Sequence, residues 1–124
     1  MSVEDKLAIQ EVIARYSYVY DSRDDDAFAQ LFVEDGIFEV IVPGESRPTV
    51  RLSSRAAIRE WAGQRLQKRH GRFTSRHYQS GIFFDELTSG SALTRTMVLV
   101  THQGVTEVAP RLTVSGVEDT ADLG

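Results

Sequence analysis

Apolar residues near the start of the chain recur every three or four positions, which is the spacing of one face of an α-helix. The recurring residues are Ile9, Val12, Ile13, Tyr16 and Tyr20. Ahead of them, Ser2 and Asp5 have the spacing of a capping box, with Asp in place of the usual Glu. The pattern therefore predicts a first helix over residues 3–20.

Two shorter patterns predict further helices. Either Asp24 or Asp25 can cap a short second helix, whose apolar face would be Phe28, Leu31 and Phe32. Either Ser53 or Ser54 can cap a third helix. Its apolar face would be formed by Ala57, Ile58, Trp61, Ala62 and Leu66.

The rest of the chain alternates β-branched or aromatic stretches with turn residues. Strands are predicted at 37–42, 49–52, 74–85, 91–103 and 111–117, with a hairpin turn at 86–90. Because the helices are segregated from a run of hairpin-linked strands, the fold class is α+β. We expect a curved antiparallel sheet with three N-terminal helices across its concave face, enclosing an apolar pocket. Residues 1–124 are expected to form one domain.

Composition narrows the class of partner. The chain has a net charge of −4 and no cysteine, which argues against nucleic acid and anionic membranes and excludes disulfides and thiolate sites. It shows neither a signal peptide nor an apolar run long enough to span a bilayer, so a cytoplasmic location is expected. The basic cluster is interpreted as a solvated helix end. Its members are Arg65, Lys68, Arg69, His70 and Arg72.

Candidate chemistry rests on Tyr20, Asp21, His77 and His102, which lie on three separate apolar segments. An aspartate that orients a histidine makes a general base near neutral pH. Asp21 could instead simply cap the turn after the first helix. A carboxylate at the negative end of a helix also favours a protonated or hydrogen-bonding partner.

Strand alternation predicts which residues share a face with each histidine. Phe73, Ser75, Gln79, Gly81 and Phe83 have the parity of His77, and Thr96, Val98 and Val100 have that of His102. His102 suits a pocket wall and, equally, a buried histidine bonded to a backbone carbonyl. Tyr20 is either core with its hydroxyl at the rim or a donor to a substrate carbonyl. His70 is expected to be exposed.

Other chemistries have no support in the sequence. His77 and His102 have no His or Glu two or four residues later, so no metal site is expected. The chain has no phosphate-binding glycine loop, no dinucleotide fingerprint and no nucleophile elbow.

The order of elements and these residues together resemble the nuclear-transport-factor-2-like superfamily, specifically SnoaL-like proteins. Residues 20–24, Tyr-Asp-Ser-Arg-Asp, are similar to a run in fungal scytalone dehydratase, and residues 100–103, Val-Thr-His-Gln, to another. Residues 76–77 fall where that enzyme carries its other active-site histidine. Asp21 and His77 also look like the Asp–His dyad of hexachlorocyclohexane dehydrochlorinase.

The resemblance implies a cone-shaped fold with a deep pocket, no metal or organic cofactor, and pairing into a homodimer or higher homo-oligomer. It also implies a cofactor-independent lyase or isomerase, resembling a dehydratase or a polyketide cyclase, for a small hydrophobic cyclic molecule. Catalytic roles would belong to Asp21, His77, Tyr20 and His102. Substrate contacts would come from Tyr16, Phe38, Trp61, Val100 and Ser115.

The chain departs from this resemblance at two places. Scytalone dehydratase carries a Ser-x-Asn pair on a late strand, whereas this chain has Ser115 nearby and no asparagine. The family's Trp-containing last strand is also missing, so either the chain is truncated or the edge of the sheet is completed another way, for instance by a partner chain. Both departures favour an alternative, a non-catalytic ligand-binding or dimerisation module. A third interpretation is the small scaffold subunit of a ring-hydroxylating dioxygenase.

Overall fold

The computed structural model describes residues 1–68 and 71–121. For residues 114–121 it describes the backbone and its pairing in the sheet. The helices are α1 Val3–Asp21, α2 Asp25–Ala29 and α3 Arg55–Lys68; the strands are β1 Phe38–Val40, β2 Val50–Leu52, β3 Phe73–Leu87, β4 Ala92–Gly104 and β5 Arg111–Ala121. Strands β1 and β2 form a hairpin, and β3, β4 and β5 form an open antiparallel sheet in that order. The predicted α+β class and order of elements are confirmed.

Side-chain caps fix where the helices begin. Ser2 and Asp5 form the predicted capping box at the start of α1. The Asp24 carboxylate accepts a hydrogen bond from the Ala27 N–H, so Asp24 caps α2. The Ser54 hydroxyl does the same for the Ala57 N–H at the start of α3. Helix α2 ends at Ala29, so the prediction that Leu31 and Phe32 belong to its apolar face was wrong.

A bulge at Gly81 changes which side chains of β3 face the helices. Gly81 has a φ of 63°, and the register with β4 shifts between Ser80 and Phe83. An extra residue in one strand reverses the alternation beyond it. Phe84 is therefore partly buried, whereas Phe83 is 52% exposed. The prediction that Phe83 shares the face of His77 was wrong for this reason.

Helix α1 contributes to two apolar clusters, one formed with the other helices and the other with the sheet. Near its end, Tyr20 joins a cluster with Phe28 and buried residues of α3. Near its start, Ile9 and Ile13 pack with Ala92 of β4. The start of α1 is thereby packed on the sheet, and its end on α2 and α3. Among the described residues no helix is both long and apolar enough to cross a membrane.

Candidate active site

A polar stripe on α1 faces β3 and ends in Asp21. The stripe consists of the Ile13 carbonyl, Ser17 and Asp21, which lie four residues apart and so share one helix face. Gln79 on β3 donates from Nε2 to the Ile13 carbonyl at 2.8 Å and to the Ser17 hydroxyl at 2.7 Å. These bonds hold α1 against β3 one turn before Asp21.

Asp21 accepts hydrogen bonds from three donors on β3. Oδ1 accepts from the Ser75 hydroxyl at 2.8 Å and lies 2.7 Å from Nδ1 of His77. Oδ2 accepts from the backbone N–H of His77 at 2.8 Å. Because β3 is an edge strand of its sheet, this N–H has no neighbouring strand to bond. The carboxylate therefore satisfies the strand edge and orients the histidine ring at the same time.

The environment of Asp21 keeps its carboxylate ionised. Burial by itself would raise the pKa of Asp21. The bonds from the His77 ring, the His77 N–H and Ser75, together with the attraction of a charged His77, outweigh it, so the pKa lies below its ordinary value. The side chains of Asp21 and His77 are each only 10% exposed, so water screens their attraction weakly.

The pairing also determines the tautomer of the neutral His77 ring. An ionised carboxylate can only accept, so Nδ1 must carry the proton that it shares with Asp21. Nε2 is then left with a lone pair. Within residues 1–68 and 71–121, no hydrogen-bond partner of His77 Nε2 is found. This arrangement can remove a proton from a bound molecule.

Tyr20 lies beside the dyad, and its hydroxyl is engaged by α3. The Tyr20 and His77 ring centroids are 4.6 Å apart. Arg65 donates from Nε to the Tyr20 hydroxyl oxygen at 3.2 Å, and its guanidinium lies 5.5 Å from the centre of the Trp61 ring. Arg65 is an exposed residue in the last turn of α3, as the interpretation of a solvated helix end requires, and it makes these two contacts in addition.

His102 lies on β4, the strand next to the one that carries His77. It pairs with Ser75 in the β3–β4 register, and His77 pairs with Val100, so the two histidines are diagonal neighbours, roughly 7–8 Å apart at their backbones. Its ring packs on Phe73 at a centroid distance of 4.4 Å. Val100, the register partner of His77, is buried. Thus the register brings His102 near the Asp21–His77 pair, while Phe73 holds its ring.

Three of the aromatic residues predicted to contact substrate form one wall near the dyad. Tyr16 lies 6.0 Å from the His77 ring and 5.3 Å from Phe28. Phe38 and Trp61 lie 5.1 Å apart and both pack on Phe28. Phe28 is fully buried, so the wall is continuous with the core.

The remaining candidates lie elsewhere. Ser115 is paired with Leu99 in β5, and its side chain lies outside the described part of the structure, as does the whole of His70. A cavity of about 300 Å³ lies at the start of α1 and the β3–β4 turn, away from the dyad. It is lined by Met1, Asp5, Ala8, Ile9, Ser89, Gly90, Ser91 and Ala92.

Sequence reasoning missed some polar residues that support the site. Ser75 has the same strand parity as His77, and this signal could have identified it as a partner of Asp21. Arg23 adopts a φ of 63° and donates from Nη2 to the Phe73 carbonyl at 3.0 Å. No local pattern predicts this backbone conformation for an arginine, because it depends on the fold that surrounds it. Among the described residues there is no cluster of three acidic, histidine or cysteine side chains that could hold a metal ion.

Comparison with known proteins gives a family match over nearly the whole chain. The family model of the SnoaL-like domain matches residues 1–120. No curated protein gives a significant match.

Solved structures share the fold at low sequence identity. A protein of Novosphingobium aromaticivorans, provisionally assigned as a scytalone dehydratase, is 22% identical with a TM-score of 0.75, over 96% of this chain and 73% of the other. ActVI-ORFA of Streptomyces coelicolor is 18% identical with a TM-score of 0.80, over 97% and 83%. A provisionally assigned aromatic-ring-hydroxylating dioxygenase β subunit of the Novosphingobium species is 18% identical with a TM-score of 0.78, over 94% and 77%.

Proposed function

This chain belongs to the SnoaL-like domain family, and we propose that it is a cofactor-independent lyase or isomerase of the dehydratase type. It would act on a small hydrophobic cyclic molecule by general acid/base catalysis. Asp21 and His77 would form the base, with Tyr20 and His102 as further polar groups at the same site. The aromatic wall of Tyr16, Phe38 and Trp61 supports a flat, apolar substrate.

One observation carries this proposal: the Asp21 Oδ1 atom lies 2.7 Å from Nδ1 of His77, and both side chains are only 10% exposed. An ionised, shielded carboxylate stabilises the imidazolium that forms when Nε2 takes a proton. A surface ion pair would be screened and would contribute little. The buried pair therefore has the chemistry of a working base.

The proposed dehydration proceeds without an added reactant. His77 Nε2 removes a proton from a carbon atom of the substrate. That carbon lies next to a carbonyl group or next to the carbon that bears the leaving hydroxyl. The electrons of the broken C–H bond form the new C=C bond, and the neighbouring C–O bond breaks. The departing hydroxide takes a proton from His102 and leaves as water. Proton exchange with solvent returns both histidines to their starting states.

The choice of a dehydratase among the possible reactions is suggested by one structural relative, which is provisionally assigned as a scytalone dehydratase. Its 22% identity supports the shared fold, and the reaction itself rests on the dyad in this chain.

The test is a proton-exchange assay on a panel of cyclic hydroxy-ketones. The purified protein is incubated with each compound in deuterated water, and NMR follows deuterium entry beside the carbonyl and the appearance of the unsaturated product. His77→Asn is expected to slow exchange by about 10²–10⁴-fold, the usual range for one acid/base group. Asp21→Asn is expected to slow it as well while the fold persists.

Matched controls separate the dyad from general damage. Asp35→Asn removes a carboxylate at an exposed site and leaves the bonds of His77 and Asp21 in place, so it should retain the exchange. Equal rates in wild type and in the double variant His77→Asn, His102→Asn would contradict the proposed function.

The outer face of the sheet supports a second proposal, that two copies of the chain pair through it. Among the residues of β3 and β4, the exposed apolar side chains on this face include Tyr78, Phe83, Met97 and Leu99, and contiguous exposed apolar patches mark association sites. The same stretch of sheet carries an ion pair between Arg95 and Asp85. In a two-fold dimer the same surface of each copy contacts the other. A face that carries apolar residues and both signs of charge suits such an arrangement, because apolar side chains can meet each other and each charge can meet its opposite. This pairing would hold for a catalytic chain and for a non-catalytic module alike.

A further inference from the structure

Within the described part of α3, Arg65 is the cationic residue that contacts Tyr20, the tyrosine beside His77. It follows Trp61 by four residues, so the two side chains share a face of the helix. Its Nε atom lies 3.2 Å from the Tyr20 hydroxyl, and the Tyr20 ring lies 4.6 Å from the His77 ring. The guanidinium is thus connected to the dyad through a single intervening side chain.

This contact determines what the Tyr20 hydroxyl can do. Arginine can only donate, so the phenol oxygen must accept from it. The phenol proton then remains for a different acceptor. A charged donor on the oxygen polarises the O–H bond, because hydrogen bonds in a chain strengthen one another. Tyr20 therefore becomes a stronger hydrogen-bond donor, and its proton points away from Arg65.

Two further features favour this position of the Arg65 guanidinium. Its guanidinium lies 5.5 Å from the centre of the Trp61 ring, within the range of a cation–π contact. It also lies in the last turn of α3, where a cation is favoured by the helix dipole. Tyr20 itself is buried. The hydrogen bond therefore joins a buried tyrosine to an exposed arginine whose guanidinium also contacts the Trp61 ring.

We propose that Arg65 is a positioning residue that acts through Tyr20, so that the Tyr20 hydroxyl donates to a substrate oxygen that gains negative charge when His77 removes the proton. The inference rests on the proposed function, and it selects carbonyl compounds over substrates whose leaving group alone takes up the charge. Donors aimed at developing charge are among the largest contributors to catalysis.

The test is the binding of para-nitrophenolate, a stable anion whose oxygen mimics that of an enolate, followed by its absorbance at mildly alkaline pH. The neutral para-nitrotoluene serves as a probe of the same shape without the charged oxygen. Arg65→Gln is expected to weaken phenolate binding about tenfold and to leave the binding of the neutral probe unchanged. Arg65→Lys, which keeps the charge, should restore part of the loss.

A matched control and a double variant make the assignment specific. Lys68→Gln removes the same charge from the same end of α3 and should leave phenolate binding unchanged. Tyr20→Phe should weaken it, and adding Arg65→Gln should then cost little more, because residues that act as a unit are not additive. Circular dichroism confirms that each variant is folded, and Arg65→Lys supplies the test if Arg65→Gln is not.

Three outcomes would overturn the inference: absence of phenolate binding by the wild type, equal losses in Arg65→Gln and Lys68→Gln, or additive losses in the double variant. His77→Asn distinguishes it from the proposed function, since that variant should bind the phenolate and lose proton exchange. Arg65→Gln could selectively weaken phenolate binding while the wild type exchanges protons on none of the cyclic hydroxy-ketones. That pair of results would refute the proposed reaction and support the role of Arg65.

Discussion

Asp21 has two tasks in this protein that depend on different atoms of the same neighbour. Its carboxylate bonds the ring of His77, which prepares a base, and the backbone N–H of His77, which closes a strand edge. The hydroxyl of Ser75 adds a third donor. Because each carboxylate oxygen accepts from more than one side, the ring can be oriented without leaving the strand N–H unsatisfied.

The tautomer of His77 is predicted from this geometry. In the neutral ring of the wild type, the proton should lie on Nδ1, and long-range proton–nitrogen correlation spectra distinguish the two tautomers. Asp21→Ala should return His77 to the Nε2–H tautomer that free histidine prefers, whereas the spectrum of His102 should be unchanged. An Nε2–H tautomer at His77 in the wild type would contradict the dyad.

The stability of the protein should depend on acid through Asp21. The pKa of Asp21 is lower in the fold than its ordinary value of 3.8, so the folded state binds this proton less readily than the unfolded chain. The contribution of the Asp21 carboxylate to stability is fully present above pH 3.8. It is lost as the pH falls below 3.8 and through the lower pKa of Asp21 in the folded state.

Asp21→Asn should therefore lower the free energy of unfolding by about 1–3 kcal/mol at neutral pH, and the difference from wild type should narrow across that acid window. Urea denaturation at a series of pH values measures both effects. Asp35→Asn, at an exposed carboxylate, is the matched control. A difference that is constant with pH would show that the charge of Asp21 contributes nothing.

At the scale of the elements, local signals account for most boundaries. Ser2, Asp24 and Ser54 cap their helices because short polar side chains satisfy the first backbone N–H groups. Ser2 could be recognised in the sequence, whereas Asp24 and Ser54 were each one of two neighbouring candidates. The bulge at Gly81 could not, because a glycine within a strand pattern is compatible with an uninterrupted strand. The facing of β3 beyond it was consequently predicted with the wrong parity.

Gly81→Ala should destabilise the protein by about 1–2 kcal/mol, the cost of a left-handed backbone for a residue with a Cβ atom. A Cβ atom here would also meet the Met97 side chain, which would have to move. Gly90→Ala, where an added Cβ meets nothing within 4 Å, should change stability by less than about 0.5 kcal/mol. Thermal unfolding of both variants checks the prediction, and equal stabilities would contradict it.

At the scale of the whole molecule, the site is assembled from elements far apart in the chain. The Asp21–His77 contact joins residues 56 positions apart, and the Tyr20–Arg65 contact joins residues 45 apart. The resemblance to a family could nominate Asp21, Tyr20 and His77, since each lies in a recognisable run. It could not nominate Arg65, whose role depends on how α3 packs beside α1.

Pairing of two chains through the sheet is tested at this scale. Leu99→Glu places a charge at the centre of the exposed apolar face and should shift the protein from dimer to monomer in light scattering. Val105→Glu makes the same change at an exposed site in the turn after β4 and should leave the dimer intact. A monomeric wild type, or equal behaviour of the two variants, would contradict the pairing.

The double duty of Asp21 has a consequence for tracing activity through the descendants of a common ancestor. A lineage that abandoned catalysis would still gain stability from a side-chain acceptor at the edge of β3, so selection for a stable fold would favour keeping Asp21. The bond that closes the edge comes from the backbone of residue 77, which any amino acid except proline supplies, so the imidazole would be free to drift. In a relative, a histidine at this position is therefore the informative mark of an active lineage, and an aspartate without it marks descent alone.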